Sequence, residues 1–283
     1  MKWIQQTKVA IMVTLTMAAA ACNEQAAKTD TTTAADGAVA VQVKEEAVTY
    51  TSADGVALNG WLAYDSASSE KRPVVLVVPE WWGLNDYAKS RARKLAELGY
   101  VAMAVDFYGN GAQAATPDEA GKMATPFYTN PAMAAARFNA ALAKVKTVAL
   151  ADTNQVAAIG YCFGGAQVLN MARLGSALKG VVSFHGNLVG VPADKTLLTA
   201  QILVCHGEAD PFVPATEVAQ FKKQLDSIGA TYTFKSYADA THAFTNPGAT
   251  EMGKKFSMPI SYNAAADTAS WNDMKTFFAQ IFK

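Results

Sequence analysis

The chain has 283 residues, with 24 Lys and Arg balanced by 24 Asp and Glu for a formal net charge of zero. That balance supplies no basic surface for nucleic acid, so a nucleic-acid partner is not expected. Its three histidines, His185, His206 and His242, lack the short spacing of metal ligands, so neither a metal nor any other cofactor is expected.

Residues 1–22 read as a leader. Lys2 and Lys8 precede the apolar run Val9–Ala21, and small residues lead into Cys22. A basic start, an apolar middle and small residues before a cut make a secretory signal peptide, and the run is too short for a comfortable membrane span. Ala19-Ala20-Ala21-Cys22 also resembles a bacterial lipobox, with Ala19 where leucine is usual. Lipidation of Cys22 in the periplasm is therefore expected, with membrane contact only through that anchor. A cleaved, soluble periplasmic form is the alternative. Removal of residues 1–22 leaves 22 basic against 24 acidic residues. Residues 23–46, including Thr29-Asp30-Thr31-Thr32-Thr33, hold no aromatic residue and read as a flexible tether.

Residues 47–283 suit one large α/β domain, expected to be a monomer. Two strands, about 47–51 and 57–64, flank the hairpin signal Asp54-Gly55. Strand 74–78 leads to a helix over 87–98 closed by Gly99, and strand 101–106 follows. The segment 107–130 is the longest irregular stretch. It forms either a pocket wall or lid, or a crossover holding one short helix near 117–124. Asn130-Pro131 then caps a helix to about 145. Strand 156–159, helix 166–174, strand 180–184, strand 201–205, helix 215–228, strand 232–236 and helix 264–282 complete the chain. Such alternation predicts a mostly parallel sheet with helices on both faces and an antiparallel hairpin at its start.

Gly160-Tyr161-Cys162-Phe163-Gly164 joins the strand at 156–159 to the helix that follows. It has the pattern of a nucleophile elbow, with cysteine in the place of serine. Flanking glycines allow the sharp turn, and the sulfur falls at a helix N-terminus, whose partial positive charge favours a negatively charged sulfur. Asp210 lies in the loop after strand 201–205, and His242 in Asp239-Ala240-Thr241-His242 after strand 232–236. Nucleophile, acid and histidine thus follow in the order typical of α/β-hydrolases, each after a strand, and a parallel sheet brings such loops to one edge. In this arrangement His242 takes the thiol proton and Asp210 orients the imidazole. The competing reading of Cys162 is a buried structural thiol.

These strings resemble the dienelactone hydrolases over about residues 47–283. The resemblance continues through Pro79-Glu80-Trp81-Trp82-Gly83-Leu84-Asn85, Asp106-Phe107-Tyr108, Gly207-Glu208-Ala209-Asp210 and His242-Ala243-Phe244. It implies an α/β-hydrolase fold and an active-site glutamate, here Glu80, that pairs with the thiol and helps to ionise it. It also implies an oxyanion hole from the backbone amides of Trp81 and Phe163. The family holds its substrate's carboxylate with two arginines, and Asn110 and Asn246 stand at those places. An asparagine cannot supply the charge of an arginine fork. The resemblance therefore implies the family's chemistry without its carboxylate recognition.

Glu80 can also be read on its own surroundings. It follows the apolar run Val74–Val78 and Pro79 and precedes two tryptophans, which suits a desolvated proton-transfer group. A structural carboxylate is the alternative. Trp82, Tyr108, Asn110, Phe244 and Asn246 are the candidate substrate contacts. Cys205 reads as a core thiol, although secretion makes a Cys162–Cys205 disulfide conceivable. His185 and His206 end strands and reach the site edge without an expected role. The whole predicts a cysteine-dependent hydrolase of small esters or lactones working through a thioester. A peptide or thioester hydrolase on the same triad and a non-catalytic binding lipoprotein are the alternatives.

Overall fold

A computed structural model describes residues 40–283. The leader, Cys22 and residues 23–39 of the expected tether lie outside the described residues. Among the described residues no helix is long and apolar enough to cross a membrane.

Eight strands form one sheet: β1 (Val43–Thr51), β2 (Ala57–Asp65), β3 (Arg72–Val78), β4 (Val101–Ala104), β5 (Ala151–Tyr161), β6 (Gly180–Phe184), β7 (Gln201–Gly207) and β8 (Tyr232–Tyr237). Their spatial order is β1-β2-β4-β3-β5-β6-β7-β8. β2 runs antiparallel to both β1 and β4, and every other neighbouring pair is parallel. The expected mostly parallel sheet with an antiparallel hairpin at its start is therefore present. β1 begins at Val43 rather than Ala47, so the last residues assigned to the tether pair with β2 across the register Val43 to Asp65.

Alternation along the strands sorts the core into two layers. Val74, Leu76 and Val78 of β3 face one side, with α3 (Pro131–Val145), α4 (Phe163–Arg173) and α5 (Ala215–Ile228). Val75 and Val77 face the other, with α1 (Asp86–Glu97) and α7 (Ala264–Ile281). Central strands buried on both faces read as unbroken apolar runs, which is why Val74–Val78 was legible as a strand. The helix starts have local causes as well. Asn85 accepts from the Ala88 N–H at 3.2 Å, and Asn130 accepts from the Met133 N–H at 3.1 Å ahead of Pro131.

The segment 107–130 resolves into a loop and α2 (Pro117–Thr129), longer than the short helix expected and with Pro126 inside it. Thr116 caps it by accepting from the Glu119 N–H at 3.3 Å, while the Glu119 carboxylate accepts from the Ala115 N–H at 2.8 Å. The loop before it is pinned by Asp106, which accepts backbone N–H bonds from Asn59, Gly109 and Gly111 at 2.8–2.9 Å. Asp106 is thus a structural carboxylate. A further helix, α6 (Ala249–Phe256), was not foreseen.

The parallel strands end along one edge, and the junction of β5 and α4 is the most tightly built point on it. A Cβ placed on Gly164 would lie 2.2 Å from the Val78 carbonyl oxygen and 2.6 Å from that of Pro79. A Cβ on Gly160 would lie 2.0 Å from the Gly164 oxygen. These neighbours are backbone, so nothing flexible can yield. Gly164→Ala is therefore expected to destabilise the protein by at least about 3 kcal/mol, roughly 6–12 °C in melting temperature. Gly121→Ala in α2, where a Cβ meets nothing within 4 Å, should leave stability unchanged or raise it slightly. Calorimetry on the two variants checks the pair.

Candidate active site

Cys162 sits between β5 and α4 with φ 53° and ψ −115°, a backbone conformation that a non-glycine residue adopts only under constraint. Its N–H is shared between the Phe184 carbonyl at 3.0 Å and the His185 Nδ1 at 3.1 Å. Both partners lie at the end of β6, so the neighbouring strand holds the turn. Cys162 is partly exposed, and both Cys162 and Cys205 are free thiols. Cys205 is buried in β7, and burial pushes its thiol up to about 12. The core-thiol reading therefore holds for Cys205 and the conceivable disulfide is absent.

His242 and Cys162 line one pocket. The His242 Nδ1 lies 2.8 Å from Asp210 Oδ2, and the other Asp210 oxygen accepts from the Phe212 N–H at 2.8 Å. Asp210 follows β7 and His242 follows β8, as the loop-after-strand reading required. Burial opposes a charge on the His242 ring. The Cys162 sulfur and the Asp210 carboxylate outweigh that penalty and raise its proton affinity above the ordinary histidine range.

Glu80, at the end of β3, is 3% exposed and lines the same pocket. Burial raises its carboxyl to about 7, against the lowering effects of the Asn246 hydrogen bond, His242 and Arg91. Asn246 Nδ2 donates to Glu80 Oε2 at 2.7 Å, and Asn246 Oδ1 accepts from the Gly248 N–H at 2.9 Å. The pocket has a volume of about 1050 Å³ and takes in α2, α6 and the loop before α5. The open choice for 107–130 thus resolves both ways, since α2 is an ordinary helix and also a wall.

A family model for the dienelactone hydrolase family matches residues 58–282. The chain belongs to the dienelactone hydrolase family. A Methylorubrum extorquens protein provisionally named a carboxymethylenebutenolidase is 30% identical over 235 residues, spanning 77% of each chain. "Protein usf" of Aquifex pyrophilus is 28% identical over 80% of this chain and 95% of its own. Among solved structures, a dienelactone hydrolase-like promiscuous phosphotriesterase, P91, from metagenomic libraries superposes with a TM-score of 0.80. It is 33% identical and covers 85% of this chain and 99% of that one. The chain is thus a hydrolase with the α/β-hydrolase fold.

This dienelactone hydrolase relative brings together most, but not all, of the residues its sequence suggested. Cys162, His242, Glu80, Trp81, Trp82 and Asn246 line the pocket, and Asp210 stands behind His242. Three expected substrate contacts fall elsewhere. Phe244 is wholly buried beneath the site, packed on His185 and Tyr237. Asn110 is exposed in a left-handed turn with its N–H on the Ala57 carbonyl. Tyr108 supports the wall from behind, its hydroxyl donating to the Trp81 carbonyl at 2.8 Å. Tyr108 and Phe244 are suggested by the motifs they stand in, and Asn110 by its place where the family has an arginine. Phe244 instead turns into the core, Asn110 into solvent, and Tyr108 packs against Phe163 behind Trp81.

His185, by contrast, has a definite place. Because Cys162 N–H needs a lone pair on Nδ1, the ring proton sits on Nε2, which faces Thr245 Oγ1 at 2.7 Å. Thr245 Oγ1 also meets the Tyr87 hydroxyl at 2.6 Å, and Arg91 donates to the Thr245 carbonyl and to Asp267. Burial, then the nearby charges of His242 and Arg91, keep His185 neutral, well below the ordinary histidine range. This network ties the Cys162 backbone to the loop that carries His242. No local sequence pattern announces it, because its members come from five separate segments. Thr245→Val keeps the shape but removes the hydroxyl, and is expected to cost about 1–3 kcal/mol in denaturant titration. Thr245→Ser should recover most of that, whereas a Thr245→Val protein as stable as the parent would contradict the network.

Proposed function

We propose that this hydrolase cleaves carboxylic esters or lactones through a covalent thioester on Cys162, with His242 as base and Asp210 as its orienting acid. The observation that carries the reading is the strained Cys162 elbow sharing a pocket with His242, whose other ring nitrogen is fixed by Asp210. In this mechanism the Cys162 sulfur attacks the acyl carbon and the thiol proton passes to His242. The amides of Phe163 and Trp81 stabilise the developing oxyanion. As the carbon–oxygen bond breaks, His242 returns the proton to the leaving alkoxide. Water, deprotonated by His242, then hydrolyses the thioester and restores the thiol.

Glu80 is the second proton-handling group in this reading. It is buried, lies near His242 and is held by a neutral amide. Peptide hydrolysis draws no comparable support, since the peptidase structures that superpose on this chain are 14–16% identical and share its fold alone. A non-catalytic binding protein would have no use for the strain at Cys162. The composition of the leader supports a periplasmic enzyme tethered through lipid on Cys22.

Cys162→Ala is expected to lower kcat/KM on aryl esters at least about 10³-fold while retaining ligand binding. Undiminished turnover in that variant would sink the mechanism. Glu80 gives an independent signature in the pH dependence of stability. A carboxyl raised in the folded state to about 7 binds a proton there that the unfolded chain has already released. Stability should therefore fall as pH rises from the ordinary carboxylate range to about 7, and Glu80→Gln should flatten that slope. Thermal melts across pH check it.

A further inference from the structure

We infer that the substrate is an uncharged ester or lactone carrying a bulky apolar group, and that the site discriminates against substrates bearing a carboxylate. This rests on the hydrolase reading above and adds the class of molecule the pocket accepts.

The first observation is the charge of the pocket. Among the described residues that line it, no lysine or arginine occurs, and the two carboxylates present are Glu80 and Glu217. His242 is the one other titratable base there, and its ring is already bonded to Asp210. Glu217 is fixed in place, because one of its oxygens accepts from the backbone N–H groups of both Leu188 and Val189. It cannot swing away from an incoming anion without breaking both bonds. A substrate carboxylate would thus leave water to face two acids, while the one group there able to carry positive charge, the His242 ring, is already paired with Asp210, which makes its entry unfavourable.

The second observation removes the apparent substitute for a cation. Asn246 reaches the pocket, but its amide is divided between Glu80 and the Gly248 N–H. It serves as a clip for Glu80, and the N–H it has left carries no charge to offset the desolvation of a carboxylate. Asn110 points into solvent away from the pocket.

The third observation is size and surface. A volume of about 1050 Å³ is at the upper end for a small-molecule site and exceeds what a small lactone ring fills. Trp82, stacked on Phe256 with ring centroids 6.0 Å apart, forms one wall. Met252, Met258 and Ile260 continue it, and flexible thioether side chains adapt to varied apolar shapes.

The test is a matched pair of substrates, mono-4-nitrophenyl suberate, an anion at pH 8, and its methyl-capped neutral diester. The neutral ester is expected to show kcat/KM at least about 100-fold higher, and Glu217→Gln should narrow that ratio. Among 4-nitrophenyl alkanoates, octanoate should exceed acetate by at least about 10-fold. Equal or faster hydrolysis of the anion, or a preference for acetate over octanoate, would overturn the inference while leaving the hydrolase reading intact. Absence of turnover on every ester would sink the hydrolase reading. Selectivity would then be read from binding of the matched pair to the Cys162→Ala protein, where neutral over anion supports the inference and equal affinity overturns it.

Discussion

A cysteine held in a left-handed backbone conformation, sharing a pocket with a buried histidine, is the constraint around which the rest of the molecule is arranged. Cys162 can occupy φ 53° only because its N–H is bound from β6 and because two glycines let the β5–α4 turn close against the end of β3. The sheet supplies both conditions, since β3, β5 and β6 are adjacent and parallel. The same parallel order delivers Asp210 from β7 and His242 from beyond β8 to the same edge. Packing energy spread across two apolar layers is thus converted into strain at one residue.

Electrostatics at that edge follow from burial without compensation by cations. Burial drives Glu80 upward toward neutrality, and neither the Asn246 amide, which carries no charge, nor Arg91, committed to Asp267 and the Thr245 carbonyl, lowers it enough to offset that. A carboxyl that shares a proton readily near neutral pH is suited to help a thiol ionise. An arginine at 246 would hold Glu80 ionised and at the same time offer a receptor for anionic substrates. The asparagine there changes both properties together, which links the chemistry of Glu80 to the kind of substrate the pocket admits.

Much of this was legible in the sequence, and the reasons are local. Val74–Val78 and the Gly160–Gly164 string carry their own signals, because continuous apolar runs and glycine-flanked turns are backbone requirements. Asp210 and His242 were found by order along the chain. What was not legible depends on which way a side chain turns after its strand has ended. Phe244 and Tyr108 stand in the same motifs as candidate site residues yet do not line the pocket. His185, at the end of its strand, holds the Cys162 N–H. Its partner Thr245, and Tyr87 bonded to Thr245 in turn, lie 60 and 98 residues away from it in the chain and carry no motif. α6 escaped notice for a similar reason, since Ala249–Phe256 lacks a side-chain cap and buries only Ala249 and Gly253.

Direct capture of the acyl-enzyme tests the central claim. The protein would be mixed with a 4-nitrophenyl ester, quenched in acid within the first turnovers and digested for mass spectrometry. An acyl group on the peptide containing Cys162, lost on longer incubation and absent from Cys205, is the predicted result. Turnover accompanied by no adduct on Cys162, or by an acyl group on another side chain, would contradict the account.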